Sequence, residues 1–128
     1  MKYYFSKTIS GSFDDTIRLI SDSLKTNGFG VITEIRMHEK IKEKLNVDFK
    51  KYTILGACNP SFALKALKLE DKIGLMLPCN FLVIEQPEGL IEVAAINPAV
   101  TMQSTSNPEL YGIANEVSQM LQSIVEHV

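Results

Sequence analysis

Apolar residues recur at helical spacing in two long stretches of the chain and at strand-like spacing in several shorter ones. Phe13, Ile17, Ile20 and Leu24 fall on one side of a 3.6-residue period, so a helix with one buried face is expected from Phe13 to Leu24. Ser12 is suited to cap its start, Asp14 and Asp15 suit its first turn, and Asn27-Gly28 ends it. A second stripe, Leu110, Ile113, Ala114, Val117, Leu121, Ile124 and Val125, follows Asn107-Pro108-Glu109 and predicts a closing helix. Asn59-Pro60 marks another helix start, with Phe62, Ala63, Ala66 and Leu67 on its apolar side. His38 to Leu45 reads as a short charged helix. Extended segments are expected at Lys2 to Thr8, Phe29 to Ile35, Tyr52 to Ala57, Ile73 to Leu77, Phe81 to Glu85 and Leu90 to Ile96. Gln86-Pro87-Glu88-Gly89 turns the last two into a hairpin, while Pro78 interrupts the pair before it and Asn97 to Ser106 reads as irregular.

Strands separated by helices, then a hairpin and a closing helix, define an α+β domain: a mixed β-sheet of about four to six strands with helices packed on it, one compact domain over residues 1–128. The 45% hydrophobic content with 22% charged residues excludes a disordered chain. No apolar run approaches the roughly 18 residues of a membrane span, and the N-terminus lacks the features of a signal peptide, so a cytoplasmic protein with free cysteines is expected.

The net charge of −2 does not favour nucleic acid or an anionic membrane as partner. It is unevenly spread, because every Lys and Arg lies at or before Lys72, leaving residues 85–128 with six acids and no base. Such a split suits a solvated dipole or the pairing of surfaces in an oligomer.

Candidate chemistry centres on the only two cysteines, each followed by asparagine and each Cys-Asn pair flanked by one proline: Gly56-Ala57-Cys58-Asn59-Pro60 and Leu77-Pro78-Cys79-Asn80. A thiol just ahead of a helix start lies where backbone amides favour thiolate, which makes Cys58 the better nucleophile or ligand of the pair. Cys58 and Cys79 are therefore candidates for a soft metal, with thioether help from Met76 or Met102, and Asn59 and Asn80 for hydrogen bonds to a small ligand. Glu34, an acid flanked by apolar strand residues, is a further candidate if it faces a cleft. Equally, free cysteines serve as small buried hydrophobes, and Asn caps helices and turns. A zinc site lacks parts, since His38 and His127 both read as surface residues. No Ser-His-Asp set, paired carboxylates or Gly-x-Ser-x-Gly elbow is present in the sequence, so no catalytic constellation is recognisable and no cofactor is indicated.

Five ordered stretches, Tyr3 to Thr8, Gly28 to Ile35, Ile54 to Pro60, Leu75 to Asn80 and Asn107 to Leu110, resemble the family called domain of unknown function 302. The resemblance covers nearly the whole chain and implies a compact α+β fold that forms homodimers; it brings no reaction. Two functions stay open: a domain binding a small ligand or soft metal through the Cys-Asn motifs, and a homodimeric structural or interaction module in which those motifs are only architecture.

Overall fold

The computed structural model describes residues 2–128. Five strands, β1 (Tyr4–Ser10), β2 (Gly30–Arg36), β3 (Tyr52–Cys58), β4 (Cys79–Gln86) and β5 (Leu90–Ile96), form one sheet in the order β1-β5-β4-β3-β2. Every neighbouring pair is antiparallel. The α+β class therefore stands, with an antiparallel sheet in place of the mixed one expected. The reason lies in the connections. β2 ends at Arg36, opposite Thr53 near the start of β3, and β3 ends beside Cys79, where β4 begins. Each intervening helix makes an excursion at one end of the sheet and returns to it, as an enlarged hairpin does, whereas a parallel pair would need a crossover from end to end.

Two long helices cover one face. Helix α1 (Phe13–Thr26) starts where Ser12 Oγ accepts from the Asp15 amide, and it buries Phe13, Ile17, Ile20 and Leu24. Helix α5 (Glu109–Glu126) buries Leu110, Val117, Leu121 and Ile124. The last three, with the α1 residues, meet the strand residues Leu55, Phe81, Val83, Val93 and Ala95 in one core. Lys7 Nζ donates to the carbonyl oxygens of Glu126 (2.8 Å) and Val128 (3.0 Å), tying β1 to the end of α5, where a cation is favoured. Strand alternation sends Tyr4, Ile54, Leu82, Ile84 and Ala94 to the opposite face, on which neither α1 nor α5 packs. Among the described residues no helix is long and apolar enough to cross a membrane.

Helix α2 (Met37–Leu45) caps one end of the sheet. His38 is half-buried there rather than a surface residue: its Nδ1 accepts the Tyr52 amide proton at 2.9 Å, and its ring stands edge-on to Phe13. At the other end, helix α3 (Pro60–Leu69) packs against α5. The run expected as a strand at Ile73 to Leu77 is a 3-10 turn over Asp71–Met76, because Ile73 is drawn into a second, smaller core with Ala66, Met102, Leu110 and Ala114. Asn97 to Ser106 is likewise ordered, as the short helix α4 (Pro98–Thr101) and a 3-10 turn. Asn97 organises it: Oδ1 accepts from the Ala99 amide and from Ser118 Oγ, and Nδ2 donates to the Lys2 carbonyl. Asn-Pro thus precedes three helices, at 59, 97 and 107.

Candidate functional site

Where β3 ends and β4 begins, the gap between the sheet, α3 and α5 is incompletely filled. It leaves a cavity of about 240 Å³ between the two cores. Phe29, Phe62, Ala66, Met102 and Val117 supply apolar walls, and Ile32, 60% exposed on the edge strand, stands at the mouth. Cys58, Asn59 and Cys79 line the same space. Both thiols arrive there because Ala57 pairs with Cys79 across the ladder, so Cys58 lies one residue beyond its neighbour strand's cysteine.

Gly56 permits this meeting. A Cβ there would fall 2.1 Å from Thr33 Oγ1 and 2.7 Å from Pro78 Cγ. Only a residue without a side chain lets β2 and the Leu77-Pro78 segment close on β3 next to the cavity residues Ala57 and Cys58.

The site is neutral in character. Asn59 Oδ1 is committed to the Phe62 amide (3.3 Å) and its carbonyl oxygen to the Ala63 amide (2.9 Å). Pro60 has no N–H, so of the orphan donors at this helix start only the Ser61 amide remains for a ligand. Burial, and then the nearby Cys58 charge, push the Cys79 thiol up from 9.0 to about 11, so it stays protonated at neutral pH. Neither cysteine is in a disulfide.

The five residues singled out in the sequence are thus divided. Cys58, Asn59 and Cys79 share the cavity, and Met102 joins them. Asn80, next to Cys79 on a strand, points to the other sheet face and is exposed. Glu34 is exposed on β2 and pairs with Arg36 at 3.4 Å; Arg36 reaches Glu39 as well at 3.3 Å, and these hydrogen bonds raise the guanidinium pKa. Met76 lines a separate hollow with Pro78 and Asn80, and His127 is occupied with the Ser123 carbonyl. Among the described residues no three or more His, Cys, Asp or Glu side chains gather as a metal-binding group. The apolar walls were not singled out from the sequence, because Phe29, Phe62 and Val117 look like any core residues until the elements carrying them are brought together.

Residues 5–128 match the family model described as Domain of unknown function DUF302, and the chain belongs to that family. It is similar to a crystal structure of an uncharacterized conserved DUF302 protein from Bacillus stearothermophilus, with a TM-score of 0.91 and 28% identity over 98% of each chain. No curated protein matches.

Proposed function

We propose that this DUF302 domain binds a small, uncharged, largely apolar molecule in the cavity beside Cys58 and Cys79. The observation that supports the reading is the lining: apolar walls, an amide start already occupied by Asn59, and a buried thiol held protonated. A cavity of about 150 Å³ takes benzene, so one of about 240 Å³ suits a ligand of roughly ten heavy atoms. A soft metal held by Cys58 and Cys79 with Met102 needs thiolates, and burial of Cys79 opposes that charge. Titrating indole into isotope-labelled protein tests the reading. Amide shifts should cluster at Cys58, Phe62 and Val117, and Ala66→Phe, which fills the space, should remove them. Indole shifts that survive Ala66→Phe, or that scatter over the surface, would defeat it, and stoichiometric cuprous uptake lost in Cys58→Ser would favour the metal.

A second reading, a homodimeric module in which the Cys-Asn motifs are architectural, is supported by the capping role of Asn59 and by the apolar sheet face that α1 and α5 leave open.

A further inference from the structure

The sheet face away from α1 and α5 carries a charge that the fold leaves unopposed. Tyr52, Ile84, Glu92 and Thr8 form one row across four strands on that face, and Glu92 is half-buried within it. Its Oε2 accepts from Ser6 Oγ at 2.9 Å and its Oε1 from Gln86 Nε2 at 2.8 Å, one donor from each flanking row. These neutral donors fix the carboxylate without offsetting its charge, because among the described residues no Lys, Arg or His lies within ion-pair distance of it. Beside Glu92 is a hollow of about 280 Å³ with an apolar floor of Leu82, Ile84 and Ala94 and walls from Tyr3 and Tyr4. The two rings meet edge to face with their centroids 5.0 Å apart, and Tyr3 is 62% exposed. Lys2 Nζ stands 5.5 Å from the Tyr4 centroid, so one ring here already receives a cation from the chain itself. Burial, and then the nearby Tyr3 and Glu92, push the Tyr52 phenol up, so it adds no second negative charge at neutral pH.

We propose that this hollow is a second binding site, separate from the cavity beside Cys58, and that it takes an organic ammonium ion bearing an apolar group, its cationic end at Glu92 and its apolar end on Leu82 and Ala94 beside the tyrosine rings. Other ligand classes are each opposed by a different feature. A neutral apolar molecule would take the carboxylate out of water with nothing to offset the cost. An anion would meet the Glu92 charge directly. A hard divalent ion takes about six or more oxygen ligands, whereas the hollow offers one carboxylate, and among the described residues no metal-binding group of acids forms. An organic ammonium meets none of these obstacles: its charge is answered by Glu92, its weak hydration is readily given up, and the negative faces of the tyrosine rings attract it. On the scale by which about 150 Å³ takes benzene, the space suits a molecule of roughly nine to twelve heavy atoms.

Titrating 2-phenylethylammonium into the isotope-labelled full chain, with 2-phenylethanol as its neutral counterpart of equal size, tests the assignment. The ammonium should shift the Leu82, Glu92 and Ala94 amides saturably with a Kd on the order of 1 mM, and the alcohol should bind at least about tenfold more weakly. Glu92→Gln, which keeps the size and a hydrogen-bonding end, should abolish that preference for the charged form. Tyr3→Leu should weaken the ammonium about threefold. Tyr3 is so exposed that a folding defect does not explain its effect. Ala66→Phe, which fills the cavity beside Cys58, should leave the binding unchanged, so the two sites stand or fall separately. Equal affinity for alcohol and ammonium, a charge preference that persists in Glu92→Gln, a Tyr3→Leu variant that binds like the wild type, or no saturable shift by about 20 mM would overturn the site.

Discussion

The two Cys-Asn motifs have the same letters and different structural roles. In the first, Asn59 stands at the end of a strand and the start of a helix, where its side chain satisfies an orphan amide, and Cys58 is half-buried at the cavity. In the second, both residues lie within a strand, so Cys79 turns into the core and Asn80 turns out to the open face. Proline follows the first motif and precedes the second, and that order separates them: Asn59-Pro60 opens a helix, whereas Pro78 leads into β4. A repeated dipeptide is thus no repeated site; the dihedral setting of each copy decides which of its two side chains reaches the cavity.

The comparison can be broken most forcibly at Gly56, which holds the two motifs together. Gly56→Ala should cost about 3 kcal/mol in denaturant unfolding, since the Pro78 ring cannot rotate out of the way as a flexible chain would. A cost under 1 kcal/mol would show that the segment around Pro78 moves freely. Alkaline titration comes next. Because the folded state keeps the Cys79 proton up to about 11 against 9.0 for the unfolded thiol, the native state binds more protons in that window. Its contribution is fully present below pH 9 and is lost as pH rises to about 11, amounting to about 2.5 kcal/mol. Cys79→Val should flatten that decline, and a decline unchanged in the variant would place its cause elsewhere. Asn59→Ala should cost about 1 kcal/mol through the lost cap. Asn80→Ala, at an exposed position, should stay within about 0.5 kcal/mol. Equal costs for the two would erase the distinction between the motifs.

Much of this architecture was legible in the chain. Ser12 with Asp14 and Asp15 marked the start of α1, the Leu110 to Val125 stripe marked α5, and the turn at Pro87-Glu88-Gly89 marked the β4–β5 hairpin. These signals are local, written in caps and periods. Ile73 to Leu77 was misleading, because five consecutive apolar-rich positions fit a strand and a buried turn alike, and the side chains that claim Ile73 come from α3, α5 and the segment after β5. The pairing of β1 with β5 is similarly invisible, joining residues from 80 (Ser10 with Leu90) to 92 (Tyr4 with Ile96) positions apart. At the candidate site, Cys58 and Asn59 were marked by the helix start. Asn80 could have been set aside from the sequence, since neighbours on a strand face opposite ways. Glu34 followed the default for an alternating strand and met solvent and arginine instead of a cleft.

The bond between His38 and Tyr52 has one more property. Nδ1 lies 2.9 Å from the Tyr52 nitrogen and 3.1 Å from its carbonyl oxygen. An unprotonated Nδ1 takes the amide proton, and a protonated one gives its own to the carbonyl, so the latch between α2 and β3 reverses its polarity without letting go. What changes is the Tyr52 amide, which is held in one state and released in the other. Its rate of exchange with deuterated solvent therefore reads which tautomer the ring holds.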